Sequence, residues 1–269
     1  MRLAVSNIAW AADEQPAVLA ALAGLGVTGI EVAPTVVWPD WHGATPQAAR
    51  ELARMLAGEG FAVPALQSIL YARPALTVFG DAAGRAALTA HVAHVARIAE
   101  GLGAAVMVFG SPRNRLRGDL APEAAMAAAV PVFRALGEAC HAAGTALAIE
   151  ANPAEYGCDF LTRWHEAAEL VERVDHPGVV LHLDTACTSL AGDDPVAAVA
   201  ACAGRIRHFH VSAAQLGPVA EDGSTDHAAI AAALRVQGYS GWVSVEMRRA
   251  AAPLDTIRHA AGLMRRHYG

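Results

Sequence analysis

The sequence predicts a closed (β/α)8 barrel that occupies residues 1–269 as a single domain. Three observations lead there. A short apolar run, a loop and a longer amphipathic stretch recur eight times, which matches such a barrel in count and size. Capping residues and glycines punctuate that rhythm where helices should start and stop. The third is an absence. The turn after the first strand, SNIAWAADE, has no glycine and no GxGxxG occurs anywhere, so an open doubly wound sheet lacks its hallmark.

The units follow in order. A strand over 3–9 (LAVSNIA) leads to a helix over 14–24, which Gly26 closes before the strand over 28–33 (TGIEVA). The helix over 46–59 starts at Thr45-Pro46, an N-cap followed by a residue whose missing N–H costs a first turn nothing. Gly60 ends it ahead of a strand over 62–68 (AVPALQS). Asp81 caps a long helix over 82–102, Gly103 stops it, and the strand 105–109 (AVMVF) follows. A helix over 122–143 and Gly144 lead to the strand 146–150 (ALAIE). Thr162 opens the helix over 163–174, which precedes the strand 179–183 (VVLHL). Asp194-Pro195 opens the helix over 195–203, before the strand 206–211 (IRHFHV). A helix over 226–237, Gly238, the strand 242–246 (WVSVE) and a helix over 254–267 complete the set. Strands separated by helices of this length pair in parallel through crossovers.

Composition narrows the chemistry. With 54% hydrophobic and 17% charged residues, the chain has ample material for a core and is not disordered. All 20 basic residues are arginine. The missing lysine excludes Schiff-base and pyridoxal-phosphate catalysis, and the phosphate-holding lysine of P-loop and kinase folds. A net charge of −6, a pI near 6.0 and no basic run argue against nucleic acid as a partner. No apolar run reaches the roughly 18 residues of a membrane helix, so no membrane is expected. MRLAVSNIAWAADEQP shows no cleavage site after a long enough apolar core, and a cytoplasmic location is the expectation. Cys140, Cys158, Cys187 and Cys202 form no CxxC pair and read as buried, reduced thiols.

A barrel of this type carries its chemistry at the C-terminal ends of its strands. Strand five ends in Glu150, strand six runs into Asp184, strand seven carries His210 near its end, and strand eight ends in Glu246. Their separations of 34, 26 and 36 residues are each about one unit. Three carboxylates crowded into one mouth cannot all stay ionised without a cation. One divalent ion resolves the conflict, and three carboxylates with one imidazole suit Mn2+ first, with Mg2+, Co2+ or Zn2+ as alternatives. The competing account is that such acids cap the next helix or pair with arginine.

The same segments resemble a known family. LAIEANPAEYGCDF (147–160), VVLHLDTACTSL (179–190), IRHFHVSAAQLGP (206–218) and GWVSVEMR (241–248) look like the xylose-isomerase-like barrel superfamily, in its sugar phosphate isomerase/epimerase branch. GIEVAPTVVW (29–38) and VMVFGSPRNR (106–115) look like strands two and four of that branch, so the resemblance covers nearly the whole chain. It implies that Glu150, Asp184, His210 and Glu246 bind one divalent ion. It also implies that Glu150 and Glu246 exchange a proton with a carbon next to a carbonyl, by way of an enediolate, while Asp184 and His210 serve only as ligands. There are departures from the ketose 3-epimerases of that superfamily. Cys187 stands where they have a histidine, Leu216 where they have an arginine, and Tyr156 where they have a glutamate.

Other residues are candidates for holding substrate. His182 and His208 lie two positions before Asp184 and His210, so the strand period turns them inward, to touch substrate or brace the ligands; a buried core role is the alternative. Arg113 and Arg115 follow strand four and would grip an anionic group, or simply belong to a solvated loop. Glu31 and Gln67 close strands two and three and can bond hydroxyls; for Glu31 an inter-strand ion pair is the competing account. Trp38 offers an indole face to a sugar ring, as do Trp10 and Trp41, or packs under a lid or subunit contact; Cys187 is a candidate nucleophile or ligand, or has a passive pocket or packing role. His91 and His94 share a helix face away from the mouth and read as solvated. The expected function is a metal-dependent isomerase or epimerase of a sugar, sugar phosphate or cyclitol, with a small-molecule carbohydrate as partner and a homodimer or homotetramer by resemblance. A hydro-lyase like inosose dehydratase, a repair nuclease of the endonuclease IV type and a non-catalytic sugar-binding barrel are the alternatives. Against the nuclease, Gln67, Gly110 and Cys187 stand where its extra zinc-binding histidines would be needed.

Overall fold

The chain opens with strand β1 (Arg2–Ser6), one stave of a cylinder, and residues 1–221 and 223–269 are described by this computed structural model. After it come α1 (Gln15–Gly24), β2 (Gly29–Glu31), α2 (Pro34–Val37), α3 (Pro46–Gly58), β3 (Ala65–Leu66), α4 (Ala82–Leu102), β4 (Val106–Phe109) and α5 (Pro122–Ala142). The second half adds β5 (Ala146–Ile149), α6 (Trp164–Val174), β6 (Val179–Asp184), α7 (Thr185–Leu190), α8 (Pro195–Ala201), β7 (Ile206–Ser212), α9 (His227–Val236), β8 (Trp242–Glu246) and α10 (Pro253–His267).

Among the described residues the strands form one parallel eight-stranded sheet in the order β2-β1-β8-β7-β6-β5-β4-β3. Its two ends meet. Ile30 N donates to Ala62 O at 2.9 Å, Val32 N to Ala65 O at 3.1 Å and Gln67 N to Val32 O at 3.0 Å, so β2 and β3 close the barrel. The fold is the expected (β/α)8 barrel.

The capping chemistry explains where helices start. Thr45 accepts from Ala48 N, Asp81 from Gly84 N and Asp194 from Val196 N, each satisfying an orphan donor of the first turn. Thr162 does not cap in this way. Instead Glu166 reaches back, and its Oε2 accepts from Thr162 N at 2.6 Å and Arg163 N at 3.1 Å. Three further details differ from the sequence expectation. β1 stops at Ser6, whose hydroxyl accepts from Ile8 N and turns 7–9 into a 3-10 turn. β3 is two residues long because Pro64 lacks an N–H to extend the ladder. The extra helix α7 follows β6 without a loop.

The apolar core fills the layer between strands and helices, with Leu88, Phe109, Phe133, Leu136, Leu170 and Met264 fully buried there. Inside the cylinder the filling is different. Ala65, Val106, Ala148 and Val180 form a small apolar plug, and the Trp242 ring occupies space that a Cβ at Gly29 would need. Above the plug the lumen is polar: Ser6, Glu31, Gln67, His182, His208, His210 and Ser244 are all buried. Strand register stacks them, with His182 opposite His208, Asp184 opposite His210, and His210 opposite Ser244.

The backbone at the mouth is strained. Asp40, Trp41, Ser68, Ala72, Ser111, Leu161, Gln215 and Leu216 have left-handed φ values between 41° and 65° without being glycine. All lie in loops that follow strands β2, β3, β4, β5 and β7, the end of a barrel where sites are built. Among the described residues only Asp175, at the foot of α6, takes such a φ elsewhere. No helix among the described residues is long and apolar enough to cross a membrane.

Candidate metal centre

Four strands each deliver one candidate ligand to the mouth. Glu150 follows β5 and stays in its ladder, donating its N–H to Phe109 O. Asp184 ends β6, His210 lies inside β7, and Glu246 ends β8. One ligand atom from each of Glu150, Asp184, His210 and Glu246 lies within 4.8 Å of all the others. Bonds of about 2.0–2.2 Å to a central ion need little contraction of that spread.

The decisive atom is His210 Nδ1. It is buried and has no hydrogen-bond partner, yet it lies 3.4 Å from Glu246 Oε2 and 3.9 Å from Glu150 Oε1. A buried polar atom without a partner calls for an ion or a water. On its other side, His210 Nε2 is held at 2.9 Å by both oxygens of Glu31. A carboxylate on one ring nitrogen fixes the imidazole so that the other presents its lone pair to a cation. The donor set therefore fits a divalent metal.

Charge tells the same story. Burial drives the carboxyls of Glu150 and Asp184 up, and that of Glu246 up to about 7, against the pull of His210. Each is raised further by a neighbouring carboxylate. For Glu31 burial also opposes ionisation, but the charges and hydrogen bonds of His210 and His208 outweigh it and hold the carboxyl well below its usual range. Burial lowers His210, but Glu31 and Glu246 overcome it and raise the ring well above its ordinary value. Three acids that resist joint ionisation describe a site short of positive charge.

Asp184 serves two purposes. Its Oδ1 accepts from Cys187 N at 2.6 Å, capping α7, and its Oδ2 accepts from Ser212 Oγ at 2.6 Å. The cap does not take Asp184 out of reach of Glu150, His210 and Glu246. Glu150 is held by Asn152, whose Nδ2 donates to Oε2 at 3.1 Å. His182 Nε2 stands 3.5 Å from Glu150 Oε1 with both ring nitrogens unpartnered, and burial beside His210 and His208 drives its pKa well below the usual value. His208 Nε2 lies 3.3 Å from Glu31.

The remaining candidates scatter. Arg115 is fully buried, with one donor each on Phe109 O, Cys158 Sγ and Asn152 Oδ1, so it presents no exposed group to a bound anion. Arg113 is exposed. Gln67 donates to Ser6 Oγ and accepts from Ser68 Oγ, which commits it to the lumen wall. Glu31 bonds histidines rather than facing the open pocket. Trp38 is buried within the core layer under the loop after β2. Cys187 is buried, its Sγ 3.6 Å from Asn152 Nδ2, and burial with Asp184 and Glu150 nearby keeps the thiol protonated well above its usual value. His91 is not solvated as expected: it is half-buried, hydrogen-bonded to Ile69 O at 2.8 Å and edge-on to Trp41 at 4.7 Å.

Two contributors, Ser212 and Asn152, escaped the sequence reading, and a third, Tyr156, entered it only as a departure from the ketose 3-epimerases. Ser212 was legible in principle, since it continues the alternation His208, His210 along β7. Asn152 sits in an irregular segment where no periodicity marks it. Tyr156 sits over the mouth, its hydroxyl accepting from Gln215 N at 2.9 Å, and burial raises it to about 12 with Cys187, Asp184 and Glu246 adding to the rise.

Comparison with known proteins bears on this site. No curated protein sequence matches the chain significantly. Among solved structures it is similar to D-psicose 3-epimerase determined in the presence of D-fructose, at TM-score 0.79 and 18% identity over 100% of both chains. L-ribulose 3-epimerase matches at TM-score 0.80 and 19% identity, over 99% of this chain and 94% of that one. An IolI protein with a bound zinc atom matches at TM-score 0.77 and 18% identity, over 100% of this chain and 98% of that one. These likenesses establish the fold. The profile of one family matches residues 19–267, nearly the whole length. The chain belongs to the xylose isomerase-like TIM barrel family.

Proposed function

We propose that the chain is a divalent-metal-dependent isomerase or epimerase that shifts a proton on a carbon next to the carbonyl of a ketose or cyclitol. The observation that carries this reading is the convergence of Glu150, Asp184, His210 and Glu246 around the unpartnered Nδ1 of His210. Membership of a family whose structural neighbours include sugar 3-epimerases supports it. The donors are three hard carboxylates and one imidazole, which favours Mn2+, with Mg2+, Co2+ and Zn2+ behind it. When bound, such a cation supplies the positive charge that stabilises an enediolate.

The protein side of the chemistry follows from the residues. Glu150 and Glu246 approach from β5 and β8, with β6 and β7 between them, and exchange a proton with the substrate carbon from two sides. Asp184 and His210 are anchored by Ser212 and Glu31, which suits ligands that stay still. The internal commitment of Arg115 favours uncharged carbohydrates over sugar phosphates.

The test incubates Mn2+-loaded protein with ketoses, keto-inositols and sugar phosphates in deuterium oxide. Solvent deuterium at a carbon beside the carbonyl is the expected result. Loss of water with a new ultraviolet-absorbing enone would assign the reaction to the hydro-lyases instead. No exchange with any member, metal being bound, would leave a non-catalytic barrel.

A further inference from the structure

Arg115 sits at zero exposure in the segment after β4 and forms no ion pair among the described residues. A guanidinium taken out of water without an opposing carboxylate in contact is costly, so its surroundings must compensate. Its Nη1 donates to Phe109 O at 3.2 Å, its Nε to Cys158 Sγ at 3.4 Å and its Nη2 to Asn152 Oδ1 at 3.0 Å. The last bond settles the orientation of the amide. A guanidinium only donates, so Asn152 must turn Oδ1 towards it and Nδ2 away. That Nδ2 then donates to Glu150 Oε2 at 3.1 Å. Glu150 is thus the anion at the end of the hydrogen-bonded chain that starts at Arg115.

The far side of Oε2 is closed by backbone. A Cβ on Gly110, the residue after β4, would collide with this oxygen and come within 3.4 Å of Asn152 Oδ1. Oε1 is the oxygen nearer His210 Nδ1, at 3.9 Å.

We propose that Arg115, acting through Asn152, is a positioning residue for Glu150: it holds Oε2 against Gly110 and so reserves Oε1 for the metal centre. The proposal rests on the metal-centre reading above. It also accounts for a buried arginine that faces no substrate. The positive charge of Arg115 favours the ionised form of Glu150, in the same sense as the hydrogen bond from Asn152.

The experiment titrates metal-free protein with Mn2+ and follows free and bound ion by electron paramagnetic resonance. Asn152→Ala should bind Mn2+ about ten-fold more weakly than wild type, the usual cost of losing a group that braces a ligand. Arg115→Met should lose at least as much, and Arg115→Lys, which keeps the charge but lacks the planar fork of donors, should recover part of it. The spectrum of the bound ion should change in Asn152→Ala. Circular dichroism melts of the metal-free forms check folding; should Arg115→Met fail to fold, Asn152→Ala and Arg115→Lys decide the matter. Folded variants that bind Mn2+ within two-fold of wild type with an unchanged spectrum overturn the positioning role and leave the metal centre standing. A wild type that takes up no Mn2+, Co2+ or Zn2+ overturns both.

Discussion

Both carboxylate oxygens of Glu31 lie 2.9 Å from Nε2 of His210, though the two residues are 179 positions apart and come from strands on different sides of β1 and β8. One N–H is shared between two acceptors, so the ring is locked and Nδ1 is the nitrogen left for a cation. Glu31→Gln removes one acceptor and the charge. Mn2+ affinity should fall by about 10–100-fold, measured by titration calorimetry. Unchanged affinity would show that the ring is held by packing alone.

The carboxyl of Glu246 stands at about 7 in the fold against 4.5 normally. Between those values the unfolded chain binds fewer protons than the native one, so stability of the metal-free protein falls as pH rises through the window. The loss is on the order of 3 kcal/mol from this group. Glu150 and Asp184 act in the same direction, and the raised His210 adds a loss at higher pH. Glu31 acts oppositely: its depressed carboxyl contributes stability above the usual carboxylate range that is lost on acidification. The melting temperature without metal should therefore drop by roughly 6–12 °C between pH 5 and pH 7.5. Saturating Mn2+ should abolish the drop, and a flat profile without metal would refute the argument.

Binding of Mn2+ must displace protons from the same groups. Affinity should climb with pH through about 7, where Glu246 titrates, and go on rising above it because the raised His210 must also give up a proton to bind the ion. Calorimetry in buffers of different ionisation heat counts the protons released.

Gly110→Ala places a methyl against Glu150 Oε2. The carboxylate must swing away from the centre, so Mn2+ binding should weaken by at least ten-fold while the melting temperature of the metal-free protein moves by only a few degrees. A variant that binds as wild type would mean that Glu150 has room to spare.

Tyr156→Phe deletes the acceptor that Gln215 N uses, and Gln215 stands at φ 58°. A net hydrogen bond of about 1 kcal/mol is lost at the rim. On a substrate identified by deuterium exchange, KM should rise several-fold with Mn2+ affinity unchanged. A fall in Mn2+ affinity would place the phenol closer to the centre than its hydrogen bond implies.

The barrel was largely legible because its signals are local. Thr45-Pro46, Asp81 and Asp194-Pro195 announce helix starts by chemistry that involves only the next three residues. The convergence of the four candidate ligands was legible because strand ends map to one face. What could not be read were partners set by closure of the cylinder. Glu31 belongs to β2 and His210 to β7, and only the strand order makes them neighbours. Arg115 resembled a substrate-binding arginine for the same reason: its charge is visible in sequence, its burial behind Asn152 is not. β3 shrank to Ala65–Leu66 because a proline at 64 limits the ladder, an effect that apolar content hides.

The left-handed loop residues around the mouth carry a practical implication for anyone engineering this molecule. Each holds a posture that glycine or asparagine would adopt more comfortably, at an individual cost of about 1–3 kcal/mol. Swapping Ala72, Leu161 or Leu216 for glycine should relax that tension yet let the rim wander. Heat tolerance and catalytic shape would then trade against each other at the same handful of positions, and a thermostabilising campaign would do better to start at the helical girdle.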